Sequence, residues 1–387
     1  VRILILHSTY LSGAASGENR VVEDESGLLR ASGHDVRVWA PTPDVSGALD
    51  RFRVGASAVW STKAARTVES MVRRHGIEIV HAHNLFPTLS PAVLRSAASA
   101  GAAVVVTLHN FRLMCLSAEL LRDGRVCEVC VGRMPWRGVV HRCYRRSALG
   151  SGALASSLAL HRTLRTFDAV SRFLAVSPFV RRKHVEAGLP AERIGVKPNF
   201  AWPVERRSGA GEFFLFLGRL APEKGVDTLL RAWAVDPPWL PLVVVGDGPI
   251  GPALRRDVPP GVQFKGQVPP QEVPSILARA RALLVPSRWY EAAPRSIIEA
   301  YAAGVPVIAS DIGALPEIVD DGVTGRLVRL DDAEAWARAL GGFGDETSER
   351  LGAGAFDAWR ERYSPERGLA ELESAYLDAV AAHRAAG

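Results

Sequence analysis

Short apolar runs recur along the chain, separated by helix-length stretches in which apolar positions fall three and four residues apart. In the first half these runs are "RILIL", "DVRVWA", "IEIVHAH", "AAVVVTLH" and "RFLAVS". They are mostly continuous rather than alternating, the pattern of parallel strands covered by helices on both faces. A stretch rich in Pro, Gly and charge, "VKPNFAWPVERRSGAG" at 196–211, reads as a linker. The rhythm then restarts with "EFFLFLG", "WLPLVVVG", "VQFKG", "RALLVPS" and "GVPVIAS". Each run ends in a turn with Gly, Ser or Pro, and open α/β sheets bind ligands beyond the carboxyl ends of their strands. A final amphipathic helix is predicted in "YSPERGLAELESAYLDAVAAH" at 363–383, with Ser364 as N-cap and Pro365 at the first helical position.

Length fits this double pattern. At 387 residues the chain exceeds the roughly 250–300 at which single cores stop growing, so two domains are expected. With 48% hydrophobic and 23% charged residues, and Gly and Pro scattered between the periodic segments, disorder is excluded. The 47 basic and 41 acidic residues give +6, an excess that suits an anionic ligand or a membrane surface and does not by itself argue for nucleic acid. The opening "VRILIL" lacks the cleavage region of a signal peptide and reads as a buried strand. The expectation is a cytoplasmic chain, with peripheral contact at the inner membrane face as the alternative. The small-residue stretch "SALGSGALASSLAL" at 147–160 is shorter than the roughly 20 apolar residues of a membrane span and reads as a packed helix.

Candidate chemistry gathers on the predicted strand-end loops. In "YEAAPRSIIEAYAAGVPVIAS" at 290–310, Pro294 fits a first helical position, which makes Ala293 the N-cap. Alanine accepts no hydrogen bond there, so the helix start could hold an anion through its first-turn amides and dipole. Glu291 precedes this helix and Glu299 lies inside it. They read as separate acceptors for the hydroxyls of an extended ligand; the plain alternative is two solvated acids. In "FLGRLAPEKGVDTLL", Arg219 and Lys224 stand on a strand-to-helix loop, where a diphosphate needs cations. After the first strand, "LSGAASGENRVV" places Gly13 and Gly17 where backbone amides could approach phosphates, but with neither a dinucleotide fingerprint nor a P-loop lysine. His109 is a candidate base or a hydrogen-bonded core histidine. "FKGQV" at 264–268 is expected near a nucleotide base.

All four cysteines fall in one segment, spaced Cys115-x11-Cys127-x2-Cys130-x12-Cys143. The central C-x-x-C suits a tetrahedral, structural Zn2+ with no open position; reduced buried thiols and a redox or disulfide role are the alternatives. Arg133, Arg137, Arg142, Arg145 and Arg146 surround it with Trp136 and Tyr144. That mixture leaves three readings: an anionic, lipid-linked acceptor, solvated surface, or a zinc-containing nucleic-acid module.

The motifs together resemble a known family. The E-x7-E spacing of Glu291 and Glu299, "GRLAPEKG", "VVVGDGP" and "AAGVPVIASDIGALPEIV" are similar to the nucleotide-sugar-dependent glycosyltransferases of family 4. "SGENRVVEDE", "IVHAHNLFPTLSP", "TLHNFRLMC" and "KPNF" resemble a branch common in surface-polysaccharide assembly. The resemblance implies an α/β chain of the GT-B fold, two doubly wound Rossmann-like domains facing across a cleft. It implies domains at 1–200 for the acceptor side, with a cysteine-rich insertion at 111–146, at 201–362 for the nucleotide sugar, and a helix at 363–387 returning to the first domain. The implied activity is a retaining transfer of sugar from a nucleoside-diphosphate sugar, UDP- or GDP-linked, to a hydroxyl acceptor, without catalytic metal. Arg219 and Lys224 would bind the diphosphate, Glu299 the ribose and Glu291 the transferred sugar. His109 would face that sugar and Gly17 would approach the phosphates. Where the family has E-G-F-G this chain has "EAAP", so the amides of Arg295 and Ser296 would make the phosphate contacts. A sugar-nucleotide epimerase of the same fold is the rival enzyme.

Overall fold

The computed structural model describes residues 1–9, 17–42, 47–236 and 240–386, which divide into two units. The first comprises Val1–Leu120, Cys127–Lys197 and Leu369–Gly387. Its strands are β1 (Arg2–His7), β2 (Asp35–Trp39), β3 (Ile79–Asn84) and β4 (Ala103–Leu108), then β7 (Arg172–Ala175) and β8 (Ile194–Val196); between β4 and β7 the chain forms a small antiparallel hairpin of β5 (Leu121–Arg122) and β6 (Arg125–Val126), which belongs to the second unit. The six strands of the first unit form one parallel sheet in the order β2-β1-β3-β4-β7-β8. Every residue of β3 and β4 is buried, as continuous apolar strands covered on both faces must be.

The chain runs from β1 outward to β2 on one side and restarts at β3 on the other. A topological switch therefore opens between β1 and β3. Just past it, the Ser8 amide donates to the Asn84 carbonyl at 2.7 Å and the Asn84 side-chain amide returns to the Ser8 carbonyl at 2.8 Å. One face of the sheet is covered partly by the last helix, Pro365–Ala386, whose Leu372, Ala375, Tyr376 and Ala379 join Ile3, Ile5, Val105 and Leu174 in a single core. The small-residue helix Ala148–Thr163 is capped by Ser147 and buries Leu154, Ala155 and Leu158. Among the described residues no helix is long and apolar enough to cross a membrane.

The second unit comprises Leu121–Val126 and Pro198–Gly368. Here β9 (Phe213–Leu217), β10 (Leu242–Val245), β11 (Val262–Gly266), β12 (Ala280–Val285), β13 (Val307–Ser310) and β14 (Gly325–Val328) form a parallel sheet in the order β11-β10-β9-β12-β13-β14. The switch lies between β9 and β12. Phe214, Trp233, Trp336 and Phe343 anchor the core on one face.

Three expectations change. The short β8 and β14, "IGV" and "GRLV", escape a periodicity reading because each is brief and contains a glycine. The stretch read as a linker has no regular structure after Lys197, yet it is packed onto the second unit. The Trp359 indole donates to the Ala201 carbonyl at 3.0 Å, and the buried Arg207 guanidinium bonds Ala210, Arg281 and Ser348. The helix after Glu291 spans Arg295–Ala302 and has Pro294, not Ala293, as N-cap. Pro294 takes an extended ψ of 118°, which proline accepts readily, so the helical turn begins one residue later.

Candidate functional site

In the second unit the predicted charged residues lie on loops that leave β9 and β12, the two strands flanking the switch. Arg219 follows β9 and its guanidinium is held by the Glu223 carboxylate. Lys224 ends a one-turn helix, Pro222–Lys224, and donates to Glu291 Oε1 at 2.7 Å. The Ser287 hydroxyl donates to the same oxygen at 2.6 Å, and the ammonium lies 5.0 Å from the centre of the Trp289 ring. Burial would raise the pKa of Glu291, but the Lys224 charge and these hydrogen bonds outweigh it, and the carboxyl sits below its ordinary value. Glu291 is therefore an ionised, oriented acceptor.

Two glycines make the approach possible. Gly225 has φ +70°, and a Cβ there would stand 2.0 Å from the Pro286 carbonyl oxygen, so only glycine lets the β9 loop lie against the β12 loop. Gly313, at φ +62°, packs similarly against Tyr290 and Glu291. The helix Arg295–Ala302 starts without a side-chain cap, as the sequence predicts. Arg295 and Ser296 form its first turn, and Arg295 reaches Glu299 at 3.2 Å. The structure thus joins Lys224 to Glu291 and Arg295 to Glu299. Glu299 keeps a third of its side chain exposed, at 32%.

In the first unit His109 follows β4 immediately and is buried. Its Nε2 lies 2.9 Å from His83 Nδ1, and the rings stack at 5.2 Å. Beneath them the Lys197 ammonium donates to Glu25 on the helix Gly17–Ala31. Glu25 Oε2 faces His83 Nε2 at 3.5 Å. His81 accepts or donates at both ring nitrogens, to the Tyr376 hydroxyl at 2.8 Å and the Thr107 hydroxyl at 2.7 Å. Sequence reasoning names His109 but not this surrounding group. The available signal is the pair of histidines interrupting the apolar "IVHAHN", with a glutamate on the buried face of a helix. Gly17 is the first residue of its helix and exposed; Gly13 lies outside the described residues.

A pocket of about 230 Å3 opens beside the first switch, lined by Thr9, Asn84, Arg112, Glu119, Tyr144 and Arg145 among others. The Arg112 and Arg145 guanidinium carbons each lie 5.4 Å from the centre of the Tyr144 ring.

None of the four cysteines is in a disulfide. Burial raises the pKa of Cys130, and nearby Cys115 and Cys127 push it further in that direction. Among the described residues, however, the one set of three metal-ligating groups within 4.8 Å of one another is Glu25, His81 and His83. Sulfurs at about 2.3 Å from one tetrahedral zinc stand about 3.8 Å apart. Among the described residues Cys115, Cys127, Cys130 and Cys143 supply no set of three within 4.8 Å of one another. The buried Glu25–His81–His83 set fits a metal poorly, since Glu25 already carries an ammonium and both His81 nitrogens are hydrogen-bonded.

Residues 15–201 match the description Glycosyltransferase Family 4, and residues 211–343 match Glycosyl transferases group 1. The D-inositol 3-phosphate glycosyltransferase of Streptomyces griseus is 36% identical over 189 residues, 44% of this chain and 40% of that protein. The GDP-mannose-dependent alpha-(1-6)-phosphatidylinositol monomannoside mannosyltransferase of Mycolicibacterium smegmatis is 32% identical over 232 residues, 54% of this chain and 60% of that protein. The matched stretches thus span about half the length of these relatives. Anabaena HepE in complex with UDP and glucose superposes with a TM-score of 0.65 at 18% identity, covering 96% of this chain and 98% of that one. The sucrose-phosphate synthase of Thermosynechococcus elongatus gives 0.70 at 18% identity, covering 99% and 100%. With two parallel Rossmann-like sheets of this topology and family matches along both halves, the chain belongs to the family 4 glycosyltransferases and has the GT-B fold.

Proposed function

We propose that this chain transfers a sugar, with retention of anomeric configuration, from a nucleoside-diphosphate sugar to a hydroxyl acceptor. One observation carries the reading: Lys224 and the ionised Glu291 are locked together at the β9/β12 switch, with Arg219 on the same loop as Lys224. A diphosphate leaving group needs fixed positive charge, and Arg219 and Lys224 supply it. Glu291, held by Lys224 and Ser287, accepts from hydroxyls of the transferred sugar. Glu299 accepts from the ribose, and the first-turn amides of Arg295 and Ser296 meet phosphate oxygens. His109 acts at the transferred sugar, and the amide of Gly17 contributes on the phosphate side. Orientation and charge stabilisation are then the enzyme's work, and no metal is assigned to the step.

HepE binds UDP, and the mycolicibacterial relative is named for GDP-mannose, which supports a UDP- or GDP-linked donor. The Tyr144 pocket, with an arginine at each of two ring contacts, supports an anionic acceptor. Exposed Trp136 and Val140 beside Arg137 and Arg142 support a lipid-linked one. The test incubates the protein with UDP- and GDP-sugars and phosphorylated sugar acceptors, reading free nucleoside diphosphate and the anomer formed. Nucleotide release coupled to an α-linked product from an α-linked donor is expected. Conversion of the donor to an epimer without nucleotide release would replace the reading with an epimerase.

A further inference from the structure

The buried group under His109 fixes more than its position. The two oxygens of Glu25 differ: Oε1 receives the Lys197 ammonium, whereas Oε2 has no hydrogen-bond partner among the described residues and lies 3.5 Å from His83 Nε2, which likewise has none. Both side chains of that second contact are fully buried. Burial raises the pKa of Glu25, but Lys197 and His83 more than reverse the effect, so the carboxyl is ionised and offers no proton. Burial also drives His83 well below its ordinary value, so its ring is neutral. A neutral imidazole facing a bare carboxylate oxygen must carry its proton on the nitrogen that faces it. His83 is thus protonated at Nε2, and its Nδ1 is a lone pair. The 2.9 Å contact from that atom to His109 Nε2 then requires His109 to be the donor.

We propose that Lys197, Glu25 and His83 are positioning residues that hold His109 as its Nε2–H tautomer, leaving Nδ1 as the single lone pair presented to a hydroxyl of the reacting sugar. The hydroxyl donates to Nδ1, and no bond to the protein forms or breaks. Resting on the transferase reading, this assigns His109 the role of hydrogen-bond acceptor and not of donor. Groups acting on His109 are Glu18 and Glu25 on the first helix, His7 on β1, His83 on β3 and Lys197 after β8. Burial is the strongest influence and lowers its pKa, so the lone pair is available at neutral pH.

The tautomer is readable without substrate. Imidazole 15N shifts of histidine-labelled protein, with His109→Gln used for assignment, are expected to show His109 and His83 both neutral and both protonated at Nε2. His83→Leu keeps the Lys197–Glu25 pair and removes the acceptor, so His109 should lose its tautomer preference. Turnover should fall about 10- to 100-fold with nucleotide affinity unchanged, the range of one well-placed hydrogen bond. His83→Gln, whose amide can donate to Glu25 and accept from His109, should restore both. An Nδ1–H tautomer in the parent protein, or an unchanged His109 tautomer in folded His83→Leu, overturns the relay. If the tautomers are as stated but His109→Gln transfers sugar at the parent rate, the relay stands and the sugar-facing role is overturned.

Discussion

Glu291 is a buried carboxylate kept ionised by one ammonium and one hydroxyl, and that makes its contribution to stability depend on pH. Its folded pKa lies below the ordinary 4.5, so the stabilisation is present above that value and is lost as pH falls below it, through the folded pKa. Glu291→Gln should cost about 1.5–3 kcal/mol at neutral pH, the range for hydrogen bonds to charged groups. The gap between parent and variant, followed by urea unfolding, should narrow steadily below pH 4.5; a gap independent of pH would mean that the ion pair adds nothing. The charged residues themselves were legible, because Arg219, Lys224 and Glu291 fall on predicted strand-end loops. Their partners were not. Ser287 and Trp289 look like ordinary loop residues until the backbone brings them to Lys224 and Glu291, and nothing in spacing pairs residues 67 positions apart. The same holds for Lys197 and Glu25, which are separated by 172 positions.

At the scale of elements, the approach of the β9 and β12 loops is what delivers Lys224 to Glu291, and Gly225 permits it. Gly225→Ala should cost about 1–3 kcal/mol through its positive φ and the carbonyl it would strike. It should also weaken nucleotide binding more than a surface Gly→Ala elsewhere, because Lys224 would be displaced. Calorimetric melting and nucleotide titration of the same sample check both; a fully stable Gly225→Ala with parent affinity would show that the loops have room. Most strands were legible from apolar runs, since buried parallel strands leave a strong continuous signal. The helix start at 295 was displaced by one residue, a boundary that proline's two acceptable positions leave open. The linker stretch was legible as irregular backbone. Its attachment was not, because Arg207 anchors it by guanidinium bonds to Arg281 and Ser348, residues far along the chain.

For the molecule as a whole, each unit places its chemistry at a topological switch: β1/β3 in the first and β9/β12 in the second. A single restart of the βα rhythm after residue 211 makes this duplication legible in the sequence, whereas the strand order that locates each switch is visible only in the structure. The cysteine segment is legible only as a spacing. Its spacing suggests a four-thiol site, but ligation depends on sulfur positions that spacing does not specify. The most direct test of the account is a thermal-shift panel of the whole chain against UDP, GDP, ADP and dTDP and their sugar conjugates, run in parallel on Lys224→Ala. A ligand at a hundred times its dissociation constant stabilises the folded state by about 2.7 kcal/mol. The account predicts a selective shift with one uridine or guanosine diphosphate series, abolished in Lys224→Ala. No shift with any nucleotide at millimolar concentration, or an undiminished shift in the variant, would contradict it.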